Sequence, residues 1–168
     1  TAGNTAAAMG SGDLAVFATP AMVALMENAA MTAVAGELPE GATTVGSEMN
    51  VTHIKPSGLG AEITATAVLA EVEGRKLTFN VGARDAEGLI GEGIHVRYIV
   101  DREKFMAKVK NGKAPDLLRL RKDVQLDLSY LCRIEGLGSV FGQGSILFVC
   151  VQFCSSRPMP VNFCAYTT

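Results

Sequence analysis

Five residues of this 168-residue chain pair a reactive side chain or a permissive backbone with a position that could meet a ligand: Thr19, Glu27, Gly46, His53 and Arg97. Glu27 is the sharpest anomaly. It is the single carboxylate in Thr19 to Val34, TPAMVALMENAAMTAV, and its neighbours one helical turn away are Val23, Ala24, Ala30 and Met31. A carboxylate held there without a partner costs several kcal/mol or gives up its charge, so it either faces a polar site or is wasted stability. His53 stands near the end of the strand-like VTHIKP, where an imidazole can reach a site at a sheet rim. Each residue also has a plainer reading. Thr19 can serve only as a helix N-cap, Glu27 can snorkel to water or pair with Arg97 or a lysine, and His53 can be half-exposed on its strand. Arg97 can be a solvated strand residue, and Gly46 an ordinary strand-edge glycine or bulge. Singly, none of the five defines a reaction.

Other chemistries have less to work with. His53 and His95 are the only histidines, so a multi-histidine metal site is excluded and no metal or cofactor is expected. There is no Gly-x-Ser-x-Gly elbow, no P-loop and no interleaving of aromatic and basic residues. Gly136, Gly138, Gly142 and Gly144 miss the dinucleotide fingerprint in spacing and in strand–helix context. A formal charge of −2 gives no reason to expect nucleic acid or an anionic membrane as partner. No apolar run approaches the ~20 residues that span a bilayer. Cys132, Cys150, Cys154 and Cys164 all lie in the last quarter, and the Cys150-x-x-x-Cys154 spacing is a poor zinc signature. No secretory signal precedes the domain, and the sequon Asn50-Val51-Thr52 reads as accidental. The expectation is a soluble, cytoplasmic protein.

The elements that must carry the five residues follow from periodicity. Twelve of the sixteen residues from Thr19 to Val34 are apolar and cover every face of a helix, which therefore belongs inside something. Thr19 as N-cap, Pro20 in the first turn, Gly36 as stop and Pro39 beyond it frame that helix. The preceding stretch, with Met9-Gly10-Ser11-Gly12-Asp13, reads as a mobile connection. From Thr43 the period changes. Strands are expected from Thr43 to Lys55, around Ile63 to Leu69, from Leu77 to Arg84 and from Leu89 to Val100, with turns at Glu73-Gly74 and Asp85 to Gly88. A short charged helix or tail, DREKFMAKVK, follows. One buried helix and then a meander of four antiparallel strands is an α+β pattern, a sheet wrapped around a long central helix. The apolar helix surface and the strand edges left over make a homodimer the simplest completion.

The chain divides near residue 110. Residues 1–110 carry a net charge of −4 and residues 111–168 a net of +2. Asp116 to Asp127 could form a polar amphipathic helix, but beyond it lie few charges, scattered glycines and no steady period. The expectation is a first domain over 1–110 and an extension over 111–168 that is adventitious to it.

The runs GSGDLAVFATPAMVALMENAA, TTVGSEMNVTHIKPSGLG and EVEGRKLTFNVGARDAEGLIGEGIHVRYIVDREKF resemble the hot-dog-fold thioesterases of the fluoroacetyl-CoA thioesterase-like family over roughly residues 8 to 110. The resemblance implies the hot-dog fold, a homodimer with acyl-CoA sites at the subunit interface, and hydrolysis of a small acyl thioester to the free acid and CoA. It places the family's catalytic threonine on Thr19, its glutamate on Glu27 and its histidine on His53. It also puts the glycine beside the thioester on Gly46 and a substrate-side arginine on Arg97. Glu27 could attack or orient water, His53 act as base and then acid, and Thr19 and the Gly46 N–H position the thioester. Eight residues of helix separate Thr19 from Glu27 by about 12 Å, so the site is either elongated or shared between two subunits.

Two departures stand out. The lid region here, AMGSGDL, lacks an aromatic until Phe17, which argues against fluoroacetyl selectivity, and the expectation from the resemblance is that part of the family's first strand is missing at the front. The alternatives are a non-catalytic acyl-CoA-binding module and an acyl-thioester hydratase or dehydratase. Glu27 precedes His53 by 26 residues, the wrong order for the dehydratase pattern HFPxxPxxPG…E and the wrong spacing for the hydratase Asp-x-x-x-x-His motif.

Overall fold

The computed structural model describes residues 1–113, 116 and 117, and the two-residue strand Phe153–Cys154. The readings made above for the helix Asp116 to Asp127, the glycine run, the cysteines and the extension as a whole lie outside the described residues, apart from that strand. After a short 3-10 turn at Ala2–Asn4 come α1 (Ala6–Met9), α2 (Thr19–Ala35), β1 (Ala42–His53), β2 (Thr64–Glu73), β3 (Lys76–Asp85), β4 (Gly88–Asp101) and α3 (Arg102–Lys110). Phe153–Cys154 is β5.

Helix α2 is the core of the domain. Ala21, Met22, Met26, Ala29, Ala30, Ala33 and Val34 are buried against Ile63, just before β2, and against Ala65, Ala67, Leu69, Leu77, Phe79, Val81 and Ala83 of the sheet. Complete burial of a side chain the size of Met22, Met26 or Phe79 stabilises by about 1.5–3 kcal/mol each, which anchors the helix across the sheet. The other face of α2 stays open: Pro20, Ala24, Asn28, Met31 and Ala35 are exposed at helical spacing. An all-apolar helix with one uncovered stripe is incompletely enclosed by its own sheet.

The sheet runs in the order β1-β4-β3-β2-β5, antiparallel throughout. β2, β3 and β4 form the expected meander through two tight hairpins. β1 departs from the sequence reading: it pairs with β4, the last strand, and not with β2, its successor. The physical reason is the Pro56–Gly60 break, which carries the chain away from β1 to start the meander at the far side. Among the described residues β1 is consequently an edge, with eleven of its twelve residues paired, on one side only.

A bulge in β1 decides which way its side chains point. Gly46 pairs with Arg97 and Glu48 with Val96, which leaves Ser47 as the extra residue. Before it, even-numbered residues face the helix: Ala42 packs on the core and Thr44 is buried. After it the inward set is odd-numbered, with Met49 and Val51 on the core, while Glu48, Asn50 and Thr52 are exposed.

Two further readings are corrected. The segment before α2 is tied down: Thr5 caps α1 through Ala8 N–H, Thr5 bridges Phe17, and Val16 bridges Gly58. The N-cap of α2 is Ala18, which offers no side-chain acceptor, and Thr19 is the first helical residue. That frees the Thr19 hydroxyl for another partner.

Candidate active site

The five sequence-chosen residues fall into two groups along β1, one at its His53 end and the other around Gly46, toward its start. At the His53 end, Thr19 Oγ1 lies 2.8 Å from His53 Nδ1. Two loops bring them together. Phe17 N–H donates to the Ser57 carbonyl at 2.8 Å, fixing the start of α2 to the segment that leaves β1. The same segment is fastened to the β3–β4 hairpin, with Ser57 Oγ donating to Asp85 Oδ2 at 2.8 Å and Lys55 Nζ at 3.3 Å from Asp85 and 2.7 Å from Glu87. The hydrogen bond from Ser57, more than any other influence, holds the Asp85 carboxyl below its ordinary range. The bond to Glu87 is the main cause of a raised Lys55 ammonium. On the far side of the His53 ring, Nε2 is buried and has no hydrogen-bond partner among the described residues. A buried polar atom left unpaired carries a desolvation cost that a ligand or second chain would relieve.

In the other group, Glu27, Gly46 and Arg97 meet a residue that sequence reasoning had passed over, His95. His95 and Arg97 sit two apart on the inner face of β4, Arg97 opposite Gly46 and His95 opposite Met49. Glu27 Oε1 lies 3.9 Å from His95 Nε2. A Cβ added to Gly46 would come within 2.6 Å of Glu27 Oε1 and 3.1 Å of His95 Cε1, so only the absence of a side chain leaves room for the carboxylate. Arg97 is 6 % exposed, not solvated. Its Nε donates to Thr44 Oγ1 at 2.8 Å, Nη2 to the Thr44 carbonyl at 2.9 Å, and Nη1 to His95 Nε2 at 3.0 Å and the Glu27 carbonyl at 3.5 Å. Most of the guanidinium is thus engaged by the protein, behind Glu27. The Glu27 side chain itself is 44 % exposed.

The two groups do not touch. Gly46 and His53 lie seven positions apart on β1, roughly 20 Å of strand, and among the described residues no hydrogen bond or ion pair joins the two groups. A single chain therefore presents a hydroxyl–imidazole pair with an orphaned ring nitrogen and, separately, a half-open carboxylate backed by a buried cation.

The layout, a long helix laid on an antiparallel sheet with polar groups at the helix–β1 junction, is that of the hot-dog α+β proteins. A hot-dog-like protein from Thermanaerovibrio acidaminovorans shares the fold with a TM-score of 0.62 at 23% identity, over 69% of this chain and 86% of that one. The family described as fluoroacetyl-CoA-specific thioesterase matches residues 1–103, and the chain belongs to that family of thioester hydrolases. A fluoroacetyl-CoA thioesterase from Streptantibioticus cattleyicolor is 44% identical over 95 residues, 56% of this chain and 68% of the relative. A phenylalanine-to-alanine mutant of the fluoroacetyl-CoA-specific thioesterase FlK, solved with fluoroacetate and CoA, is 37% identical with a TM-score of 0.61, over 66% of this chain and 91% of that one. Among the described residues no helix is long and apolar enough to cross a membrane.

Proposed function

We propose that the protein hydrolyses small acyl-CoA thioesters at sites completed by two copies of the chain, Thr19 and His53 coming from one and Glu27, Gly46 and Arg97 from the other. The observation that carries this reading is the separation within one chain of the Thr19–His53 pair, whose outer nitrogen is unpartnered, from a carboxylate that is half open. The free edge of β1 supports it too. Antiparallel pairing of two β1 edges about a twofold axis runs the Gly46 end of one strand beside the His53 end of the other.

In this reading Thr19 O–H donates to His53 Nδ1, which leaves the proton on Nε2, where the second copy's Glu27 accepts it. His53 takes the proton of the attacking hydroxyl or of a water placed by Glu27, and returns it to the departing CoA sulfur. Attack by water gives the free acid and the CoA thiol in one step. Attack by the Thr19 hydroxyl instead releases the CoA thiol and leaves a threonyl ester, which a water then hydrolyses to the free acid as its proton passes through His53 back to the Thr19 oxygen. The Gly46 N–H is the donor assigned to the carbonyl oxygen as charge develops on it, and Arg97 sets the field behind Glu27. The compartment in which this takes place is proposed to be the cytoplasm.

The test is release of free thiol from a panel of acyl-CoAs, with Glu27→Ala and His53→Ala as controls. Loss of turnover in both supports the assignment. Turnover untouched by both substitutions would sink it, and tight binding without turnover in the wild type would favour a binding module instead.

A further inference from the structure

His95 is 1 % exposed and lies on the inner face of β4, and both of its ring nitrogens are assigned by their partners. Nδ1 is 2.8 Å from the Glu48 carbonyl oxygen, which can only accept, so Nδ1 carries a proton. Nε2 is 3.0 Å from Arg97 Nη1, which can only donate, so Nε2 carries none. The imidazole is neutral, in one tautomer. The groups that face it are consistent with that state. Burial, above all, holds His95 below the ordinary imidazole range and the adjacent Arg97 cation acts in the same direction, against the opposing pull of the Glu48 carbonyl and of Glu27. Glu27 from α2 and Arg97 from its own strand are the charged groups around the ring, and Phe79 stands opposite it on β3.

We propose that neutral His95 is a positioning residue for the reaction, anchoring the Arg97 guanidinium beneath Glu27 so that the carboxylate stands over Gly46 in its working orientation. The proposal rests on the reading of Glu27 as the working carboxylate. His95 touches no substrate in it and acts through Arg97 and Glu27. A second proton on the ring would remove the acceptor that Arg97 needs, set two cations side by side and turn Nε2 into a donor toward Glu27 Oε1, 3.9 Å away. Glu27 would then be drawn down onto His95 and away from the thioester. Glutamine can supply an uncharged acceptor near the place of Nε2 at every pH, whereas alanine supplies none.

The experiment measures kcat and KM across pH 5 to 9 for the wild type, H95Q and H95A, with Glu27→Ala beside them, and thermal melts report whether each variant folds. For H95A kcat is expected to fall by about 10–100-fold with KM little changed, the signature of a displaced group and not of lost binding. H95Q should recover most of kcat at neutral pH and lose activity less steeply than the wild type on the acid side. Wild-type kcat in H95A, a loss confined to KM, or an acid limb in H95Q identical to the wild type's would overturn the role. The nitrogen-15 shifts of the wild-type histidines give a reading independent of any variant. A proton on His95 Nε2, or an imidazolium at neutral pH, would overturn it. If Glu27→Ala is inactive while the His95 variants are silent, this proposal alone falls. If Glu27→Ala is fully active, the reading of the site falls with it.

Discussion

Thr19 Oγ1 and His53 Nδ1 stand 2.8 Å apart although 34 residues separate them in the chain. The contact exists because Thr19 is the first residue of α2 and not its cap, so its hydroxyl is not spent on a backbone N–H. Thr19→Val, which keeps the shape and removes the hydroxyl, should lower kcat by about 10²–10⁴-fold. Thr19→Ser should retain far more. Equal activity in both variants, measured by thiol release, would remove the hydroxyl from the mechanism.

The proposal that two copies share each site makes a prediction that no single variant can. A Thr19→Ala chain and a Glu27→Ala chain, each inactive alone, should recover activity when unfolded together and refolded as a mixture. In a mixed dimer one site inherits both defects and the other neither, so random pairing restores about a quarter of the wild-type rate. No recovery, with mixed dimers shown to have formed, would place Thr19 and Glu27 of the same chain in one site.

Two glycines on neighbouring strands should respond differently to alanine. At Gly46 the added Cβ meets the end of the Glu27 side chain, which can swing aside, so Gly46→Ala should fold and melt nearly as the wild type while losing kcat. At Gly91 the Cβ would lie 2.5 Å from Met22 Sδ and 2.8 Å from the Thr52 carbonyl, inside the core. Overpacking there should cost about 1–3 kcal/mol, read as a lower urea midpoint. Reversed effects would mean that Gly46 is a structural glycine.

Acidification should weaken the fold in two separate windows. His95 has a folded pKa below its ordinary 6.5, so on the acid side of 6.5 the unfolded chain binds a proton that the folded chain resists. Stability therefore declines as pH falls from about 6.5 toward the folded value, and H95Q should flatten that decline. Asp85, held below its ordinary 3.8 chiefly by Ser57, contributes stability that is present above 3.8 and disappears as pH falls through its folded value. Ser57→Ala should thus alter the lower window only. Urea midpoints taken from pH 7.5 to 3 separate the two.

The α2 helix and all four long strands could be read from periodicity, because burial imposes the 3.6 and 2.0 repeats on the residues themselves. The pairing of β1 with β4 could not, since alternation records which face is buried and not which strand lies alongside. His95 was overlooked for a related reason. Between Ile94 and Val96 it reads as one polar residue in an apolar strand, yet its spacing of two from Arg97 puts both on the same face. Two adjacent polar groups on a face that must cover a helix were the available signal. A bulge was legible only as one plain reading of Gly46, and its register at Ser47 was not, so the Gly46 and His53 faces of β1 could not be assigned together.

That bulge imposes a counting rule on the family's divergence. Between Ser47 and His53 the strand cannot gain or lose a single residue without turning the imidazole from the helix to the opposite face, whereas a change of two preserves its side and moves it along the edge. Length variation in this stretch should therefore come in even steps, or in odd steps that also erase the bulge. Chimaeras that splice β1 between relatives can be sorted by this parity before any is made.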